Sequence, residues 1–135
     1  MSLVIDCSIA IAWLMPDEQA AEADRAMEAV IRTGAEVPAL FLPEIGNVLL
    51  MNERRGRILS TLTLLADLLS LELRQDLSPS HERIAQAIAL AERHRLSVYD
   101  ASYLELARRL SLPLATLDGA LRRAAGEAGV ALFDA

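Results

Sequence analysis

The chain has 135 residues, enough for one domain that buries a core of its own, and we expect residues 1–135 to form a single domain. Its net charge of −6 argues against a nucleic-acid-binding protein with an ordinary basic face, unless some carboxylates hold divalent cations that reverse the local charge. The one cysteine, Cys7, excludes an internal disulfide, and no apolar stretch is long enough to span a membrane, so we expect a cytoplasmic protein with no membrane contact.

The hydrophobic pattern predicts strands that alternate with helices. The first half of the chain is expected to form a strand at 3–5, helices at 9–14 and 17–33, a strand near Val37, and helices at 43–56 and 60–71. The second half is expected to form a strand at 71–73, helices at 78–94 and 100–110, a strand at 112–117, a last helix ending at Gly129, and a closing strand at 130–133. Such alternation is typical of the α/β class, in which helices cover both faces of a parallel sheet.

Local signals set the predicted ends of the first helices. Ser8 is the expected N-cap of the first helix, and Pro16 ends it. Asp17 is the expected N-cap of the second helix, and Gly34 its stop. Pro43 suits the first position of the third helix, because its missing N–H has no partner to lose there.

Four acidic residues fall at the boundaries of predicted elements. Asp6 and Asp118 follow predicted strands, and Glu44 and Asp100 fall in the first turns of helices. Taken singly, each has a structural explanation as a helix cap or as a carboxylate favoured by the helix macrodipole. Ligands of open parallel sheets bind at the carboxyl ends of the strands, however, which is where Asp6 and Asp118 are predicted to lie.

Four segments of the chain resemble the PIN-domain family, in that family's order and at about its spacing. They are Val4–Ala10, Pro43–Leu49, Tyr99–Ala107 and Leu114–Leu121. The resemblance covers nearly the whole chain and is most specific in Tyr-Asp-Ala before an apolar helix and Thr-x-Asp before the last helix. Within the family, the chain is similar to VapC-type toxins of type II toxin–antitoxin pairs. The resemblance implies a three-layer α/β/α sandwich with a central parallel sheet of four to five strands.

The resemblance also implies an activity, a cofactor and a set of site residues. The activity is endonucleolytic cleavage of RNA, by hydrolysis of phosphodiester bonds with a water activated by Mg²⁺ or Mn²⁺. The four acidic positions of the family are occupied by Asp6, Glu44, Asp100 and Asp118, and its polar supporting positions by Ser8, Asn47 and Thr116. Oxygen ligands suit both metals, and carboxylates that repel one another gain from a cation between them. We expect Asp6, Glu44 and Asp100 to be ligands, and Asp118 to bind a second ion or to orient a metal-bound water.

The sequence departs from the family pattern after the fourth acid. Some PIN-type nucleases carry a further acidic residue there, but Gly119, Ala120 and Leu121 follow Asp118. The number of metal ions, one or two, therefore stays open.

Two further features concern partners. Arg54, Arg55, Arg57 and Arg122 are interpreted either as contacts to RNA phosphates or as solvated helix ends. The resemblance implies a small antitoxin that covers the site, and the 53% hydrophobic content favours a homodimer as well. We assign these contacts to the apolar helices at 9–14 and 58–71.

Other interpretations were weighed against the nuclease. A haloacid-dehalogenase-type phosphatase needs a second Asp at position 8, where this chain has Ser8, and a Lys, which the chain lacks. A receiver module needs paired acids near the first strand and a Lys late in the chain, and both are missing here. A catalytically silent PIN-fold binding module and a stand-alone RNA-processing nuclease without an antitoxin stay open. Cys7 is interpreted as a small buried hydrophobe, and His81 and His94 as surface residues, not zinc ligands.

Overall fold

The computed structural model, which describes residues 1–78 and 81–133, alternates short strands with helices. Its strands are β1 (Val4–Ile5), β2 (Ala35–Pro38), β3 (Leu73–Asp76) and β4 (Leu114–Ala115). Its helices are α1 (Cys7–Leu14), α2 (Ala21–Thr33), α3 (Phe41–Arg54), α4 (Thr61–Leu69), α5 (His81–His94), α6 (Val98–Leu110) and α7 (Gly119–Ala128). Within these described ranges, no helix has both the length and the apolar character needed to cross a bilayer.

The four strands form one parallel sheet in the order β3-β2-β1-β4. Val4 at its centre is paired with Glu36 on one side and with Leu114 on the other. Helix α6 packs against β1, β2 and β4. The predicted α/β class, with a layered arrangement around a parallel sheet of four to five strands, is confirmed.

The central strand is enclosed completely. Leu3, Val4 and Ile5 are at most 1% exposed, and the same core includes Phe41 and Tyr103. A strand that is buried on both faces needs apolar side chains at successive positions, which explains the continuous apolar run before Asp6.

The order of the strands places a topological switch point between β1 and β4. The chain winds from β1 through β2 to β3 on one side, and β4 then joins the other side of β1. In open α/β sheets, ligands bind outside the carboxyl ends of the strands at such a switch point. The residues that follow β1 and β4 therefore lie where a ligand is expected, and these residues include Asp6 and Asp118.

Three predicted helix starts were wrong. Asp6, not Ser8, is the N-cap of α1, because its carboxylate accepts a hydrogen bond from the Ile9 amide. Helix α2 begins four residues after Asp17, since the Asp17 carboxylate is bonded to Arg57 and does not cap a helix. Pro43 is the third residue of α3, where a missing N–H is still tolerated because the first-turn amides have no intrahelical partner.

Several strand and helix limits also differ from the prediction. Strand β3 lies at Leu73–Asp76, not 71–73, because its register is set by pairing with β2. Strand β4 is shorter than 112–117, and the closing strand is reduced to one bridge between Leu114 and Leu132. The start of that segment instead ends α7, since the Val130 amide donates to the Ala125 carbonyl. Helix α6 begins at Val98 behind an N-cap at Ser97, two residues before the predicted start.

The predicted start of the fifth helix at Ser78-Pro79 lies partly outside the described residues, and α5 is described from His81 onward. The predicted stops at Gly34 and Gly129 are confirmed, and both glycines have a positive φ. The predicted start of α4 at Ser60 is confirmed as well, because the Ser60 hydroxyl caps the helix.

Gly34 is expected to be irreplaceable in the turn between α2 and β2. Its φ of 71° and ψ of −178° belong to a region that only glycine adopts readily. A Cβ there would lie 2.9 Å from the Glu72 carbonyl oxygen and 2.5 Å from Arg74 Nη1. We expect Gly34→Ala to lower the free energy of unfolding by about 1–3 kcal/mol, measured by urea denaturation.

Gly126→Ala is the matched control for this substitution. Gly126 lies on the exposed face of α7 with open space around it, so the same change should raise stability by up to about 1 kcal/mol through helix propensity. Equal effects of the two substitutions would contradict the assignment of strain to Gly34.

Candidate acidic site at the carboxyl end of the sheet

Asp6 lies directly after β1 and is almost completely buried, with 5% of its surface exposed. Its Oδ1 accepts hydrogen bonds from the Ser8 hydroxyl at 2.6 Å and from the Ile9 amide at 3.2 Å. Its Oδ2 accepts a short hydrogen bond from the Thr116 hydroxyl. Three donors thus hold one carboxylate at the N-terminus of α1, which is the arrangement that best offsets the burial of a charge.

Ser8 and Thr116 connect Asp6 to the loop that follows β4. The Ser8 hydroxyl accepts from the Leu117 amide at 2.8 Å, and the Thr116 hydroxyl accepts from the Asp118 amide at 3.0 Å. Each hydroxyl therefore donates to Asp6 and accepts from the loop. Ser8 and Thr116, both expected to support the site, therefore contact Asp6, although they are far apart in the sequence.

Asp118 begins α7 at the edge of this network. Its Oδ2 accepts from the Leu121 amide at 2.9 Å, so the residue is an N-cap in the usual sense. Asp118 can cap the helix and also take part in a site, because the cap bond occupies only one of its two carboxylate oxygens.

Glu44 is positioned by α3, whose buried face is formed by Phe41, Ile45 and Leu49. Its Oε1 accepts from the Tyr103 hydroxyl at 2.6 Å and from the Cys7 thiol at 2.9 Å. Burial raises the pKa of both donors, and both are therefore protonated at neutral pH.

Cys7 and Tyr103 were missed as part of this site. Cys7 was expected to be only a small buried hydrophobe, and it does pack against the core, but its thiol also binds Glu44. The signal in the sequence was position: Cys7 is adjacent to Asp6, and Tyr103 lies three residues after Asp100, on the same side of a helix.

Two of the four carboxyl groups, those of Asp6 and Asp100, have raised pKa values. The pKa of Asp100 is raised by burial and then by the charges of Asp118 and Glu44. Burial also raises the pKa of Asp6 to about 6, against the hydrogen bonds from Ser8 and Thr116, and Asp100 adds to the shift. A cation bound between such carboxylates would offset the repulsion from the neighbouring charges.

The four carboxylates do not form a closed cage. Within residues 1–78 and 81–133, no three Asp, Glu, His or Cys side chains are arranged so that they could hold a metal ion. A cation such as Mg²⁺ nevertheless fits this donor set, because it takes hard oxygen ligands, keeps several waters and needs only one or two carboxylates.

The remaining predicted site residues are less closely connected. Asn47 is exposed on α3, three residues after Glu44, and has no place in the hydrogen-bond network of the described residues. Arg122 Nη1 donates to the Thr116 carbonyl at 3.0 Å, so this side chain lies beside the loop that follows β4. Arg57 is held by Asp17 and Asn52, whereas Arg54 and Arg55 are exposed at the end of α3.

The two histidines lie outside this network. His94, expected at the surface, is buried, and its Nδ1 is 2.9 Å from Glu127 Oε1. His81 is exposed and lines a cavity of about 610 Å³ near the ends of β2 and β3, together with Asp76, Ser102 and Glu105. The described walls of that cavity include none of the four acids.

Comparison with known proteins adds an independent finding. Residues 3–127 match the family model of the PIN domain. Ribonuclease VapC3 of Pyrobaculum aerophilum is 32% identical over 122 residues, which cover 87% of this chain and 90% of that protein.

Two solved structures share the fold. A crystal structure of PAE2754 from Pyrobaculum aerophilum superposes with a TM-score of 0.70 at 22% identity and covers 92% of this chain and 84% of its own. A toxin–antitoxin complex from Klebsiella pneumoniae superposes with a TM-score of 0.57 at 20% identity and covers 87% of each chain.

The raised pKa of Asp6 predicts a pH-dependent stability in metal-free buffer. The folded carboxyl has a pKa of about 6, against the ordinary aspartate pKa of 3.8, so the folded protein binds this proton more tightly than the unfolded chain does. The resulting stability is fully present below pH 3.8 and is lost as the pH rises through 6.

We therefore expect wild type to lose about 2 kcal/mol relative to Asp6→Asn between pH 4 and pH 8. Urea denaturation at several pH values in EDTA measures this difference. A constant difference between the two proteins over that range would show that Asp6 titrates normally.

Proposed function

The chain belongs to the PIN-domain family, and from this premise we propose that it is a divalent-metal-dependent endoribonuclease with Asp6, Glu44, Asp100 and Asp118 as its acidic site. The observation that carries the proposal is the position of Asp6 and Asp118 after β1 and β4, at the carboxyl end of the sheet, together with an Asp100 whose pKa is raised by burial and then by the charges of Asp118 and Glu44. Carboxyl groups with perturbed pKa values cluster at functional sites, which supports the assignment.

Asp6, Glu44 and Asp100 are the proposed ligands of Mg²⁺ or Mn²⁺, directly or through water, and Asp118 binds a second ion or orients a water. A cation bound there would neutralise the carboxylates, lower the pKa of a bound water and stabilise negative charge on the scissile phosphate. No lysine is present anywhere in the chain to act as a base, and this chemistry needs none.

The side chains around the acids hold them in place. Ser8 and Thr116 fix both oxygens of Asp6, so its carboxylate cannot rotate away when the site fills. The N-cap bond of Asp118 leaves its Oδ1 for a ligand or a water. We further propose that Arg54, Arg55 and Arg122 contact RNA phosphates and that Arg57, with its bonds to Asp17 and Asn52, mainly stabilises the turn before α2.

The biological role that we propose is that of a toxin controlled by an antitoxin. The curated relative is named a VapC ribonuclease, and one structural relative is part of a toxin–antitoxin complex. The exposed leucines of helix α4 are evidence for a partner-binding surface. Leu62 is 76% and Leu69 50% exposed, and Leu59 just before the helix is fully exposed. We propose that an antitoxin segment covers this surface and that a second copy of the chain covers another apolar face. Because RNA is the substrate, the proposed place of action is the cytoplasm.

The first expected outcome is RNA cleavage that needs metal. The purified chain should cleave RNA with Mg²⁺ or Mn²⁺ and should be inactive in EDTA. Asp100→Asn should lower the cleavage rate by about 100-fold or more, because a ligand of the cation loses its charge. The matched control is Asp24→Asn on the exposed side of α2, which should keep full activity. A folded wild type that cleaves no RNA with either metal would instead support a silent binding module.

The second expected outcome concerns the toxin role. Induced expression of the wild-type chain in a bacterial host should arrest growth, and expression of Asp100→Asn to the same level should not. Metal-dependent cleavage in vitro without growth arrest would favour a stand-alone RNA-processing nuclease.

A further inference from the structure

Two side chains that carry no assigned role converge on one oxygen of Glu44. The Tyr103 hydroxyl lies 2.6 Å and the Cys7 sulfur 2.9 Å from Oε1, and the two donors are 3.4 Å from each other. Among the described residues, both hydrogen bonds of this carboxylate end on Oε1. Within residues 1–78 and 81–133, Oε2 is therefore left without a protein donor.

Each donor comes from an element that carries another acid of the site. Cys7 follows Asp6 at the start of α1, and Tyr103 lies about one turn after Asp100 on α6. The two hydrogen bonds consequently connect α3, which carries Glu44, to both of those elements. The relative positions of three carboxylates depend on them.

The Tyr103 contact is also rigid. Its side chain is only 1% exposed and belongs to the core, so the hydroxyl cannot turn to solvent without displacing the ring. Glutamate has three rotatable side-chain bonds, and holding it before a ligand arrives removes an entropy cost that binding would otherwise carry. Residues that orient metal ligands in this way are often needed for tight binding.

Resting on the function proposed above, we propose that Cys7 and Tyr103 are positioning residues that hold the Glu44 carboxylate with Oε2 ready for a divalent cation. A merely structural role would be to satisfy polar groups between α1, α3 and α6. The two roles differ in what is lost: positioning affects the affinity for metal, and a structural role affects only stability.

Mn²⁺ titration of the purified full-length chain, followed by electron paramagnetic resonance of the free ion, tests the proposal. Tyr103→Phe keeps the ring in the core and removes only the hydroxyl, and we expect Mn²⁺ to bind about tenfold more weakly. Cys7→Ala should also weaken binding, and Cys7→Ser should restore much of it because a hydroxyl can donate to Glu44.

The matched control is Tyr99→Phe, the same change on the same helix at a residue that is 65% exposed. Its Mn²⁺ affinity should equal that of wild type. Thermal melting of the metal-free proteins shows whether each variant is folded. In addition, cleavage by Tyr103→Phe should recover at high Mn²⁺ concentration, which loss of folded protein would not permit.

The outcomes separate this proposal from the proposed nuclease. Tyr103→Phe and Cys7→Ala that bind Mn²⁺ as tightly as wild type would overturn the positioning role, while metal-dependent cleavage by wild type left the nuclease intact. Weakened Mn²⁺ binding in Tyr103→Phe, together with a wild type that cleaves no RNA, would uphold the positioning role and remove the nuclease. A folded wild type that binds no Mn²⁺ would overturn the positioning role outright.

Discussion

The buried carboxylate of Asp6 is the interaction on which the arrangement of the site depends. It begins α1 through the Ile9 amide and joins β1 to the loop after β4 through Ser8 and Thr116. The loop in turn leads into Asp118 and α7. A charged group at the end of a fully enclosed strand is tolerated because these donors surround it, and each donor is thereby held in one place.

This arrangement concentrates negative charge where the fold would be more stable without it. Burial and the neighbouring acids raise the pKa values of Asp6 and Asp100, so the ionised site is costly in the absence of a cation. In the proposed nuclease, a cation at these carboxylates would offset their repulsion and would gain affinity from doing so. Stability and metal affinity would then be connected through the same few side chains.

Position in the sheet explains why the acids come from distant parts of the chain. The carboxyl ends of β1 and β4 bring together residues from the start and the end of the sequence, and α3 and α6 contribute Glu44 and Asp100 from the middle. The hydrogen bonds from Tyr103 and Cys7 to Glu44 then connect α6 and α1 directly to α3. The site is thus built by the packing of elements and not by any one loop.

The sequence by itself determined the α/β class, the parallel sheet, the glycine stops at Gly34 and Gly129, and a list of candidate acids. These features depend on local rules: a buried strand is a continuous apolar run, and a positive φ favours glycine. Tertiary structure decided that Asp17 pairs with Arg57 and leaves α2 uncapped, that the closing strand shrinks to a bridge, and that Cys7 and Tyr103 bind Glu44. The three side-chain contacts join residues 37 to 59 positions apart in the sequence, and no local pattern specifies which distant residues will meet.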